Sequence, residues 1–367
     1  MTKGATLRFW DKLREDMMRR ATALATILFS SASLFSQANA DTTDQRWMNN
    51  VEITKGGDHC SDDPNCFNRY HPEIPSKADA NVGDMIIFHT RDALDSEFRL
   101  DSVADDLATV DLGLVHPMTG PVNIVGAERG DVIEVEIVDI APDEYGYTVI
   151  APGFGFLRDV FTEPYIVNWR LTRNGAVSDG MPGITIPYEA FPGSIGVMPG
   201  EPELDKILKR EADLAGAGGV VLTPSGPGAI PADLCGEGGT AEERCLRTIP
   251  PRENGGNMDV QQQQIGTHML FPCFIDGCGL FVGDIHYAQG DGEVGGTAIE
   301  MGSVTTLRVV KIHKGEAENV PMPATKGNNQ IVKIEPNRYY QTVGIPIKGA
   351  GEIPPSHAYL SSEKIAN

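Results

Sequence analysis

The 367-residue chain has little positive charge and almost no long apolar run. Lys and Arg number 30 against 51 Asp and Glu, a net charge of −21. So anionic a surface repels phosphate backbones and acidic headgroups, which argues against nucleic acid and membrane partners and leaves a small neutral or cationic ligand. Beyond the N-terminus no segment approaches the roughly 20 apolar residues that a spanning helix needs. The nucleophile and phosphate signatures are missing as well. There is no GxSxG elbow, PGSIG at 192–196 having the wrong spacing. The Ser- and Gly-rich signature with a distal Lys, expected of a Ser-based amidase, is also absent. The Gly-rich 216–228 stretch lacks GK[ST] and the strand-to-helix context of a phosphate loop. None of the six Cys forms a CxxC knuckle.

What is present favours strands joined by turns. The 41 Gly and 25 Pro, about a fifth of the chain, sit poorly inside helices, so a mainly β protein is expected. Residues 1–40 read separately: Arg19 and Arg20 precede an apolar Ala21 to Phe35 stretch and an Ala38-Asn39-Ala40 cleavage pattern, a secretory signal peptide. Its removal would deepen the net charge to −24. The expected location is therefore exported, periplasmic or secreted. The cysteines fall into near-neighbour pairs, Cys60 with Cys66, Cys235 with Cys245 and Cys273 with Cys278, which after a signal peptide read as three short-loop disulfides. Pairing also removes a free thiolate nucleophile.

Residues 41–80 form an irregular, disulfide-containing lead-in, 81–346 the main β region and 347–367 a short C-terminal segment. Alternation in MIIFHT (85–90) and in DVIEVEIVDI (131–140) predicts half-buried antiparallel strands. YIVNWRLTRNGAV predicts a hairpin about Asn174-Gly175. EPELDKILKREADLA at 201–215 places Leu204, Ile207, Leu208 and Leu214 at helical spacing. MLFPCFI, GLFVGDI and VTTLRVVKIHKG read as further strands.

Three patches are rich in ligand-type side chains. The first offers His116, Glu128 and Asp131, the last read as a turn residue; the second, ENGGNMD, offers Asn257 and Asp259 after two glycines that let backbone approach a ligand. The third, GDIHYAQGDGEVGGTAIE, is the densest. Asp284 and His286, two apart on a strand, share a face as two ligands of one cation would, and Glu293 can fold back past the Gly290-Asp291-Gly292 turn. A His-plus-carboxylate set suits Zn²⁺ or a similar divalent metal with water at an open position. A spare carboxylate then serves as general base, and an amide, Gln289 or Asn257, orients the substrate. Ca²⁺ in a non-catalytic exported β-sandwich that binds a small ligand or partner is the rival reading, since Asp and Glu are Ca²⁺ ligands. Imidazole at 286 weighs against it.

VHPMTGPVNIVGAERGDVIEVEIVDI, PGSIGVMPGEP, NGGNMDV and LFVGDIHYAQGDGEVGGTAIE, in that order, resemble the acetamidase/formamidase family of metal-associated amide hydrolases, over about Val82 to Gly344. The resemblance implies a jelly-roll-like β-sandwich with additional β-barrel-like and small α/β portions, hydrolysing a short neutral amide to carboxylate and ammonia. It implies Asp259, Asp284 and His286 as metal ligands, with His116, Glu128 and Glu293 close by as ligand, base or orienter. Glu293 is preferred as the base, though spacing does not separate it from Glu128. Family members continue past the GIPI-like segment into a C-terminal helical portion that is missing here, and a homo-oligomer is allowed. The signal peptide and Cys pairs are atypical for a cytosolic formamide scavenger, so an exported member is expected to act on a different amide.

Overall fold

The computed structural model describes residues 49–328, except Val220, Asp291 and the Asn328 side chain, together with the backbone of 338–342. The predicted signal peptide, the Asp291 turn and the 347–367 segment lie outside the described residues. Among the described residues sixteen strands join one sheet, and a two-strand ladder stands apart. All pairings are antiparallel except two, Asn50–Ile53 beside Met85–Thr90 and Ala78–Ala80 beside Met118–Ile124.

The centre of the sheet is the pair Val132–Ile150 and Glu300–His313, running from Glu300 opposite Tyr147 to His313 opposite Val132 with shifts of register between Met301 and Ser303, Thr306 and Leu307, and Val309 and Lys311. The expected alternation is visible: Val135 and Ile137 are buried and Glu136 is half-buried. Glu134 breaks the pattern. It is buried because His268, His313 and Lys326 meet its carboxylate at 2.6–2.8 Å. Tyr165–Thr172 and Gly175–Val177 form the predicted hairpin beyond Val132–Ile150. Leu280–His286 pairs on the other side of Glu300–His313, then Phe191–Val197, then Gly255–Asn257.

The main core lies along these strands, with Ile137, Phe271, Leu280, Val282, Leu307 and Val309 among its buried members. The predicted helix runs Glu201–Gly216; Glu201 and Glu203 in its first turn oppose the positive end of its dipole. Leu204 and Ile207 are buried against Phe67, Tyr70 and Phe281, each side chain worth about 1.5–3 kcal/mol. Glu211 on the same helix holds buried Arg252, with Nε to Oε1 at 2.6 Å and Nη2 to Oε2 at 3.0 Å. That pair fixes the chain leading to Gly255–Asn257. The three disulfides are Cys60–Cys66, Cys235–Cys245 and Cys273–Cys278, as the spacing predicts.

Candidate functional site

Directly opposed residues of an antiparallel pair share a face. Tyr147 opposes Glu300, Glu300 opposes His286, and His286 opposes Phe191. Four strands therefore lay a single row, Tyr147-Glu300-His286-Phe191, across one face. The Phe191 ring meets the His286 imidazole edge-on at 5.1 Å between centroids.

Around His286 the carboxylates converge. Nε2 lies 3.4 Å from Glu300 Oε2, 3.6 Å from Asp284 Oδ1 and 3.9 Å from Asp259 Oδ1. One ligand atom each from Asp259, Asp284 and His286 falls within 4.8 Å of the others, and the same holds for His286, Glu293 and Glu300. His116 Nδ1 is 3.9 Å from Asp284 Oδ2. Ser194 Oγ lies 3.1 Å from Asp284 Oδ2 and 3.2 Å from Asn257 Oδ1, tying the two motifs together.

Local backbone is bent to achieve this. Asp259, Asp284 and Glu293 all take φ in the left-handed region, at 51°, 51° and 41°. Non-glycine residues rarely adopt it, and three at one cluster mark a site whose surroundings over-determine its backbone. The ladder between Phe191–Val197 and Leu280–His286 passes from Pro192-Ile285 to Ser194-Gly283, so Asp284 leaves strand geometry where its side chain is needed. Gly193 stands opposite. A Cβ there would lie 2.6 Å from His286 Cε1 and Nε2, so the imidazole rests on the bare glycine, and Gly193 O accepts from Met258 N and Asp259 N. The expected use of Gly255 and Gly256 to admit a ligand is corrected. Their missing side chains admit Ile195 O and the Tyr70 hydroxyl, at φ of 90° and 89°.

Charge at the cluster is unbalanced. Asp284, His286 and Glu300 are 2, 1 and 2% exposed. Burial, with Glu293 and Asp284 adding repulsion, raises Asp259 well above the usual carboxylate range. Burial does the same for Glu300, and the neighbouring Asp284 and Glu293 reinforce it. Glu293 is raised by burial and by Asp284, while the neighbouring His286 acts the other way. Burial also opposes ionisation of Asp284, but His116 and His286 outweigh it and hold that carboxyl below its ordinary value. His286 is raised despite burial because Glu300, Asp284 and Asp259 surround it, and burial lowers His116. Several polar atoms here are buried without a hydrogen-bond partner: Asp259 Oδ1, Glu300 Oε2, Gln289 Nε2, and Nδ1 of both His116 and His286. Such orphaned groups cost free energy unless something completes them.

Of the residues singled out from sequence, Asp259, Asp284, His286 and Glu293 come together, with His116, Asn257 and Gln289 at their edge. Glu128 does not. It lies on the turn before Val132, 73% exposed at its side chain and 3.6 Å from Lys314, just past the far end of Glu300–His313. Thirteen steps of about 3.3 Å along Glu300–His313, on the order of 40 Å, separate that end of the strand from Glu300. Asp131 is the turn residue expected, accepting from Glu128 N and Gly315 N. Sequence reasoning gave Glu300, one of the carboxylates of the 281–300 stretch, no role in the site, and missed Ser194. Glu300 had a signal, a carboxylate opening a strand one turn after GDIH; Ser194, inside PGSIG, had none. A cavity of about 580 Å³, lined in part by Asp92, Arg99, Tyr145, Tyr147 and Glu300, lies on the Tyr147 side of the row.

Residues 52–364 match the model of the acetamidase/formamidase family. The chain belongs to that family. It is 33% identical over 271 residues to an acetamidase of Mycolicibacterium smegmatis, covering 68% of this chain and 66% of that one. It is 32% identical over 266 residues to a formamidase of Methylophilus methylotrophus, covering 69% and 65%. The chain thus spans just under two thirds of these two relatives. Among solved structures, a gamma lactamase from Delftia acidovorans superposes with a TM-score of 0.72 at 30% identity, covering 77% of this chain and 73% of that one. An acetamidase from Bacillus halodurans superposes at 0.57 and 25%, covering 76% and 75%. The family match takes in every residue of the cluster.

Proposed function

We propose that this acetamidase/formamidase family member hydrolyses a neutral amide at the His286 cluster, with a divalent cation, Zn²⁺ by preference, held by Asp259, Asp284 and His286. The observation that carries this reading is the buried excess of carboxylate over imidazole, with Asp259 Oδ1 and Glu300 Oε2 lacking hydrogen-bond partners. Oxygen donors with an imidazole fit a divalent ion, and His286 tips the choice from Ca²⁺ toward Zn²⁺. When bound, the ion supplies a Lewis acid for the amide carbonyl and lowers the pKa of water beside it.

The chain's own groups do the rest. Glu293, whose carboxyl burial raises above its ordinary value, accepts the proton of the attacking water. The C–O bond forms, the proton passes to the departing nitrogen, and the C–N bond breaks to give carboxylate and ammonia. Gln289 and Asn257 orient the amide, Ser194 holds Asp284, and Glu300 keeps His286 in place. The described disulfides and the N-terminal signal support work outside the cytoplasm. Ammonia release from linear amides and a γ-lactam, before and after chelation, tests the reading. Activity abolished by chelation, restored by Zn²⁺ and lost in Asp284→Asn and His286→Ala is expected; full turnover in either folded variant would refute the assignment.

A further inference from the structure

Beyond Ile150 the chain enters the segment APGFGFLRDVFTEP, residues 151–164, whose apolar side chains do not turn to the core. Phe154, Phe156, Val160 and Phe161 are 41, 53, 64 and 48% exposed, and Val294 is 51% exposed. Four exposed apolar side chains within one short segment of a chain this anionic call for an occupant. The segment is clamped to the one that carries Glu293. Phe156 N–H donates to Val294 O at 3.0 Å. A Cβ on Gly155 would lie 2.5 Å from Gly295 O, and one on Gly296 would lie 2.6 Å from the Phe154 ring, so both contacts require glycine. Val294 directly follows Glu293, whose carboxylate belongs to the His286-Glu300 group. The exposed segment is therefore held against the stretch of chain that carries Glu293.

We infer that Phe154, Phe156, Val160, Phe161 and Val294 form an apolar lip that receives the hydrocarbon substituent of the amide. The preferred substrate is then an amide carrying several carbons or an aryl ring, rather than formamide or acetamide. The inference rests on the amide-hydrolysis reading and names the substrate class of that same site. Each methylene laid against such a surface is worth about fourfold in kcat/KM.

The test measures kcat/KM for formamide, acetamide, butyramide, hexanamide and benzamide with the full chain and with Phe156→Ser and Phe161→Ser, alone and together. Equilibrium dialysis of hexanamide against acetamide runs in parallel and reads binding without turnover. The expected result is a rise with chain length in the unsubstituted protein and a hexanamide-to-acetamide ratio reduced at least tenfold in the double variant, with circular dichroism unchanged. A flat profile, or a ratio the substitutions leave alone, overturns the lip. If no amide is turned over, the functional reading fails while dialysis still decides the lip. Tighter retention of hexanamide by the unsubstituted chain supports it, and equal retention overturns it. A sedimentation change on double substitution with unaltered amide preference assigns the surface to a second copy and overturns it too.

Discussion

Gly193→Ala is the most direct perturbation of the cluster that leaves every ligand-type side chain in place. The new Cβ would stand 2.6 Å from His286 Cε1 and Nε2 and 2.8 Å from Asp284 O. Ordinary contact begins at 3.4 Å, so imidazole and methyl must separate by about 0.8 Å. His286 has nowhere to retreat, being 1% exposed with the Phe191 ring against it. Overpacking of this kind costs about 1–3 kcal/mol. A displacement near 1 Å at a reacting centre costs on the order of 10²-fold in rate. The expected result is a melting temperature lowered by several degrees, ammonia release reduced about a hundredfold, and weaker divalent-ion affinity by titration of the apoprotein. Gly216→Ala, at the open end of the helix with nothing within 4 Å, is the control. A folded Gly193→Ala protein with unaltered turnover and ion affinity would show that the position of the imidazole is not what the site depends on.

The remaining predictions address other parts of the molecule. Glu300→Gln should cut turnover at least a hundredfold while the melting temperature holds or rises, because one buried carboxylate is removed from a crowded group; Glu128→Gln, past the far end of Glu300–His313, should leave turnover unchanged in the same assay. Glu211→Gln strands the buried Arg252 guanidinium and should cost about 3–5 kcal/mol in urea unfolding. Burial opposes ionisation of Glu134, yet hydrogen bonds from Lys326, His313 and His268 outweigh it and bring its pKa from 4.5 down to about 2. A depressed carboxylate stabilises the fold above its unfolded pKa and loses that contribution as the pH falls through the folded one. The melting-temperature gap between the unsubstituted protein and Glu134→Gln should therefore be widest near pH 6 and narrow from pH 4.5 toward 2; a gap independent of pH would refute it.

Much of this was legible beforehand because its causes are local. The alternation in 131–140, the Asn174-Gly175 turn, the helix at 201 and the three cysteine pairs are set by neighbours within a few residues, and each appears where the pattern places it. Glu128 misled for the same reason. Its neighbours in sequence, His116 and the following turn, look alike in ligand chemistry, and only the extension of Glu300–His313 separates them by a strand's length. Ser194 and Gly193 were unreadable because their roles depend on pairing with residues about 90 positions later. Nor could spacing reveal that Asp284 abandons strand geometry, since φ leaves no trace in the residue type.

The row Tyr147-Glu300-His286-Phe191 draws on strands whose members are up to 153 positions apart in the chain and are joined only by ladder pairing. Such long-range closures are made late and together as a chain folds. A fragment that lacks any of the four strands lacks a member of the row. Recovery of catalysis after denaturation is thus expected to lag behind recovery of β structure, and turnover itself becomes a reporter of complete assembly.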